Sequence, residues 1–170
     1  MTSVLASVPS THTAVPVDIQ REQVSDAAAI DALVMAAFGP GRFAKTAERV
    51  REKSAILAGF TVYDGDALLG SVRLWNVTSG AARGAFLGPI AVRKSKRSSG
   101  LGGLLVQKCI DEAKALGLDG ILLIGDPPYF ERFGFLPAPD SVFSGPVSKQ
   151  RIMWLPITEV SPDGAVKPVA

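Results

Sequence analysis

The chain has 170 residues, 47% of them hydrophobic and 20% charged, and its 18 Lys and Arg against 16 Asp and Glu leave a net charge of +2. That length and balance fit one globular domain with a sizeable core and exclude a generally basic nucleic-acid binder. With one cysteine and one histidine there is no internal disulfide and no cysteine metal cluster, and no apolar run is long enough for a membrane span.

Residues 1–15 are rich in Ser, Thr and Pro and read as a loose tail that carries the one histidine, His12. They lack the basic start and long apolar centre of a signal peptide, so a cytoplasmic protein is expected. Residues 16–21 suit a first strand, with Val17 and Ile19 on one face. Ser25 is placed to cap a helix with the apolar stripe Ile30, Leu33, Val34 and Phe38, which Gly39-Pro40 ends. A more polar helix is expected over residues 44–53.

Two apolar runs, residues 60–63 and 67–77, flank Asp64-Gly65, a hairpin signal. In the second run Val72 and Leu74 alternate with Ser71 and Arg73, as in a strand with one buried face. After a turn at residues 79–82 the run 87–92 is short enough for a buried strand. A loop rich in basic and small residues follows, from Arg93 to Gly103. Leu101, Leu105, Ile110, Ala113 and Leu116 then recur at helical spacing until Gly117 and Asp119-Gly120 stop them. The run 121–124 is a second buried strand. Strand, helix and strand make a βαβ unit whose strands lie parallel with a right-handed crossover. Three antiparallel strands before it give a mixed sheet. Beyond it, Phe133 and Phe135 suit the core, Gly134 a helix stop, and residues 151–156 a last strand. Residues 161–170 read as a surface tail.

The loop carries the chemistry. Glycines at the start of a helix let a ligand approach main-chain N–H groups that have no intrahelical acceptor, at the positive end of the dipole. That is a site for a phosphate or pyrophosphate, and Arg93, Lys94, Lys96 and Arg97 add cations. A Walker A loop needs Gly-Lys-Ser/Thr, which is absent. A dinucleotide fingerprint needs a third glycine where Leu105 stands, close after the strand, yet seven residues separate Val92 from Gly100.

Arg97-x-x-Gly100-x-Gly102, after a strand reading Leu-Gly-Pro-Ile-Ala-Val, resembles the acyl-CoA-binding motif of the GCN5-related N-acetyltransferase (GNAT) family. Gly125-Asp126-Pro127-Pro128-Tyr129 and Phe133-Gly134-Phe135 resemble that family's closing segment, in wording similar to a bacterial branch of uncharacterised predicted acetyltransferases. The resemblance implies an α/β (α+β) single-domain fold over residues 16–160. Its sheet would be mixed and mostly antiparallel, with a splayed central parallel pair and flanking helices. It implies acetyl-CoA as co-substrate, no metal, a small-molecule or peptide amine as acceptor, and a homodimer as one possible assembly. The pyrophosphate would be held by Arg97, Ser98, Ser99, Gly100, Leu101, Gly102 and Gly103. The pantetheine arm would meet the main chain of Ile90, Ala91 and Val92, and the first two helices would border the acceptor.

Three features have two readings each. Gly88-Pro89 is either a plain bulge or the point where the central strand leaves its neighbour to admit the pantetheine. Asp126 is either the cap of the helix that Pro127 opens or a group acting toward the amine. Tyr129 is either packing on the pantetheine or the acid that protonates the leaving sulfur. The family's acid tyrosine matches Phe130, one residue later, and one helical residue turns a side chain by about 100°. Cys109, on the central helix, suits buried packing. The rival to an acetyltransferase is a non-catalytic acyl-CoA-binding module.

Overall fold

The computed structural model describes residues 17–170; the expected N-terminal tail and His12 lie outside the described residues. Strand β1 (Ile19–Arg21) is followed by a 3-10 turn and helix α1 (Ala27–Phe38). A second 3-10 turn leads into α2 (Thr46–Glu52). The hairpin of β2 (Ile56–Asp64) and β3 (Ala67–Ser79) comes next, then β4 (Ala82–Leu87), β5 (Ala91–Val92), α3 (Leu101–Ala115) and β6 (Gly120–Ile124). The chain closes with α4 (Pro127–Phe130), β7 (Leu136–Pro137), β8 (Ser141–Val142), β9 (Ile152–Pro156) and β10 (Gly164–Pro168). Along the sheet the order is β1-β2-β3-β4-β6-β9-β7. Only β4 and β6 pair in parallel on that path, through Gly84 with Gly120, Ala85 with Ile121 and Phe86 with Leu122. This is the mixed, mostly antiparallel sheet expected.

Two layers of side chains cover the sheet. Helix α3 lays Leu101, Leu105, Val106, Cys109, Ile110 and Ala113 on one face against Val72, Leu74, Ile121 and Leu123. Helices α1 and α2 cover the other face: Val50 packs with Phe86 and Val77, and Ile30 and Val34 with Leu68 and Ala91. Because β3 is covered on both sides, Ser71 is buried along with Val72, so the alternation read in β3 does not mark a wet face. Gly84 and Gly120 face each other across the parallel pair, and a Cβ on either would run into the Trp154 indole. The two glycines are the floor on which that indole lies.

Four expectations need correction. Ser25 caps nothing: Gln23 and Asp26 form a capping box around the 3-10 turn, and Asp26 also accepts the Tyr63 hydroxyl at 2.6 Å. Leu116 lies beyond the end of α3 and is exposed, as is Phe38 at the end of α1. The central strand is not the run 87–92 but Ala82–Leu87, upstream of it; the chain leaves the sheet at Gly88-Pro89, and only the two residues of β5 return to it. Residues 161–170, read as a surface tail, contribute a strand to the sheet. Strand β10 pairs with Val77, Thr78 and Ser79 of β3, taking over the edge that β2 leaves free, and buries Val166. Two prolines and a single large buried side chain hide that strand in the sequence.

Among the described residues no helix is long and apolar enough to cross a membrane, and no group of His, Cys, Asp and Glu could hold a metal ion.

Candidate active site

The parallel pair comes apart where Gly88-Pro89 interrupts it. Between Leu87 and Ala91 this strand takes one more step than β3 takes between Leu74 and Ser71, which defines a one-residue bulge. Beyond it β5 remains on β3 but no longer pairs with β6. The Arg93 N–H donates to the Leu69 carbonyl at 2.7 Å. In an antiparallel ladder the direction of these groups alternates, so Ala91 also faces β3 while Ile90 and Val92 face the gap. Ile90 has no main-chain partner among the described residues. The Val92 carbonyl accepts Arg97 Nε at 3.2 Å, which leaves its N–H for a ligand. On the other wall the Gly125 N–H donates to the Arg151 carbonyl at 2.9 Å. By the same alternation Ile124 faces the gap, a position the sequence reading missed. Ala91, expected among the ligand contacts, has its main-chain groups committed to the sheet.

At the mouth of the gap the basic loop turns into α3. Gly100 takes φ +81° at the N-cap, a left-handed conformation that L residues rarely adopt. The N–H groups of Ser98, Gly100, Leu101, Gly102 and Gly103 have no main-chain acceptor among the described residues, whereas Ser99 donates to Lys96. The Leu101 side chain is in the core, so only its N–H is offered. Arg93 is tied to β3 by its main chain and by Nε on the Leu68 carbonyl at 3.1 Å. Lys94, Lys96 and Arg97 remain as exposed cations around the helix start.

The segment after β6 closes the other side. Asp126 holds the N-cap position of α4, and its carbonyl accepts the N–H groups of Tyr129 and Phe130. Its exposed carboxylate makes no capping hydrogen bond. Tyr129 stacks edge-on against Phe130 and Phe133 with Arg132 over its ring. Its hydroxyl points at the first turn of α3, about 3.0 Å from where a Cβ of Gly102 would stand. Phe130 lies against Gly125 at the end of β6 instead. The one-residue offset between Tyr129 and Phe130 thus sends the hydroxyl toward the glycine loop at the head of α3.

On the face opposite α3, helix α2 brings charged groups to the bulge. Glu48 accepts Arg42 Nη1 at 3.0 Å and Arg51 Nη1 at 3.4 Å. The Arg51 guanidinium lies over the Phe86 ring, and its Nη2 would be 2.5 Å from a Cβ on Gly88. Burial pushes the Arg51 pKa down to about 10 despite Glu48. Trp75 Nε1 donates to the Gly88 carbonyl at 2.6 Å, and Arg73 stacks on Trp75 while holding Glu22 through two nitrogens. Of these, the sequence reading singled out only Gly88 and named Arg73 merely as a strand position; Arg42, Glu48, Arg51, Trp75 and Glu22 were not identified. The resemblance set helix α2 beside the acceptor, but a helix with alternating charge reads as a solvated face, and only the fold shows which of its charges turn inward.

A GNAT-family acetyltransferase model matches residues 27–135, from α1 through the closing segment. The chain is 30% identical over 113 residues to an uncharacterized N-acetyltransferase, YhbS, of Escherichia coli strain K12, covering 65% of this chain and 68% of that protein. The crystal structure of Escherichia coli YhbS in complex with CoA superposes with a TM-score of 0.78 at 25% identity, over 94% of this chain and 93% of the other. A GNAT acetyltransferase from Brucella melitensis, solved with acetyl-CoA, shares the fold with a TM-score of 0.71 at 23% identity, over 91% of this chain and 97% of the other. The bulged and parted strands, the glycine loop at the head of α3 and these similarities together place the chain in the GNAT acetyltransferase family.

Proposed function

We propose that this protein is an N-acetyltransferase that moves the acetyl group of acetyl-CoA onto a primary amine by direct attack, with both substrates bound together. The observation that carries the reading is a gap lined by the unpaired main chain of Ile90 and the outward N–H of Val92, with Ile124 turned toward it from the other wall and the N-terminal loop of α3 at its mouth. A pantetheine arm is an amide chain, and this edge offers it strand-like partners. The pyrophosphate falls to the N–H groups of Ser98 and of Gly100 through Gly103. A helix N-terminus gives an anion about 0.3–1 kcal/mol, and up to about 2 when partly buried.

Acetyl-CoA supplies a thioester carbonyl. The amine nitrogen forms the new C–N bond, the C–S bond breaks, and the proton lost by the amine matches the one gained by the thiolate. Holding the reactants together is worth about 7–11 kcal/mol when the geometry is right. The Ile90 N–H, unpaired at the bulge, is the group this chain offers to the oxyanion. A lysine-like amine costs about 4.6 kcal/mol to deprotonate at neutral pH, from a reference pKa of about 10.4. Glu48 and Glu22 are both engaged by arginines, so the proton leaves through water, with Asp126 as the free carboxylate nearest the end of β6. The thiol, with a reference pKa near 8.5, needs little acid assistance. Tyr129, turned to the phosphate loop, is therefore assigned to the cofactor.

The test is release of free CoA from acetyl-CoA across a panel of amines. Amine-dependent release supports the transferase. Tight acetyl-CoA binding with no release from any amine would move the protein to the binding-module reading.

A further inference from the structure

We propose that the Arg42–Glu48–Arg51 cluster receives a carboxylate carried by the acceptor amine, so that the substrates are amino acids or related amino carboxylates. This rests on the transferase reading and adds the class of acceptor to it.

Two guanidinium groups share one carboxylate here, and their side chains are only 17% and 14% exposed. Among the described residues no second carboxylate lies within ion-pair distance of either arginine, so one cation is in surplus. Arg51 is the worse served of the two, with a single contact of 3.4 Å to Glu48. The Nε atoms of both arginines are buried and make no hydrogen bond. A buried cation with unused donors is costly unless an anion joins it. Arginine donors in a fixed fork suit a carboxylate, which takes two at once.

The position of the cluster matters as much as its charge. Arg51 abuts Gly88, at the bulge where the Ile90 N–H turns into the gap. The phosphate loop and α3 are on one face of the sheet, and α2 with Arg51 is on the other. A cofactor arm entering from the loop ends at the bulge, and a second substrate approaches from the α2 face. A carboxylate on Arg51 would therefore be one short side chain away from the amine that attacks. The Gly88 carbonyl, fixed by Trp75, and the neutralised Glu22–Arg73 pair line the same approach without adding net charge.

Calorimetry in the presence of CoA compares product-like probes: N-acetyl-L-alanine and N-acetyl-L-phenylalanine against N-ethylacetamide and N-acetylphenethylamine, which lack only the carboxylate. The acids are expected to bind about tenfold or more tightly than the neutral amides, as for a charged hydrogen bond worth about 1.5–3 kcal/mol. Arg51→Gln and Arg42→Gln should each erase that preference while acetyl-CoA affinity stays unchanged. Arg51→Lys should retain part of it, which guards against a glutamine variant that fails to fold. Equal binding of acids and neutral amides, or a preference that survives both glutamine variants, would overturn the proposal. A thiol-release assay with the parent amines separates the two readings. Release that ignores the carboxylate defeats only the acceptor class, whereas acid binding without any release defeats only the transferase.

Discussion

At the residue scale, the glycine turn at the head of α3 was legible because its requirement is steric. Gly100 has a positive φ and Gly102 stands against the Tyr129 hydroxyl, so glycine at both positions follows from backbone geometry and close approach. Gly102→Glu should abolish acetyl-CoA binding in a calorimetric titration while the circular dichroism of the fold is retained, since the added carboxylate occupies and repels the phosphate position. Tyr129 was less legible. Its presence could be read, but its direction depends on where α4 begins, and that start is set by Pro127 and the packing of Phe130 on Gly125. With the hydroxyl at the head of α3, Tyr129→Phe should weaken acetyl-CoA binding by a factor on the order of ten, the scale of one hydrogen bond to a charged group. Turnover at saturating acetyl-CoA should change little. The reverse pattern, a large fall in turnover at unchanged affinity, would restore the acid role.

At the element scale, periodicity located the hairpin and α3, and a short apolar run located β6, whereas the other central strand was read at residues 87–92 and lies at Ala82–Leu87. Periodicity failed where long-range pairing decides. Strand β10 exists because β2 begins only at Ile56 and leaves residues 77–79 of β3 with an open edge. Nothing within residues 161–170 states that. The charges of α2 were hidden for a similar reason: α2 has the composition of a surface helix, and its Arg51 turns inward beside Val50, which packs with Phe86. The packing of Trp154 on Gly84 and Gly120 makes a direct prediction. Gly120→Ala forces a methyl into the indole and the Leu155 carbonyl, and overpacking of this kind costs about 1–3 kcal/mol. Urea denaturation should show the unfolding free energy falling by that amount, as a lower midpoint with an unchanged m-value. A shift within error would mean that the floor beneath Trp154 is slack.

At the scale of the whole molecule, one buried cysteine and one charged turn report on the fold. Cys109 is fully buried in the α3 core and burial pushes its thiol pKa up, so it is a packing residue with no thiolate to offer. It should resist a thiol reagent in the native protein and react at the rate of global opening. Asp119 joins the start of β6 to β4 and to the segment after β9, accepting the Arg83 N–H at 2.7 Å and the Thr158 hydroxyl at 2.8 Å. The Arg83 N–H, and then Thr158, hold its pKa below the usual carboxylate value. A depressed folded-state pKa adds stability that is fully present above the unfolded value, near about 3.9, and is lost as the pH falls through the lower folded value. Asp119→Asn should therefore be less stable than the parent at neutral pH, and the difference should shrink below about pH 4. A difference that is constant with pH would mean that the carboxylate charge is irrelevant.

The central claim is that the parted strands and the α3 loop form an acetyl-CoA site. Titration of the intact protein with acetyl-CoA in a calorimeter, with Gly102→Glu as control, tests it most directly. The account predicts saturable binding at one site per chain that the glutamate variant loses. No heat of binding in the parent, or equal binding in the variant, would contradict it.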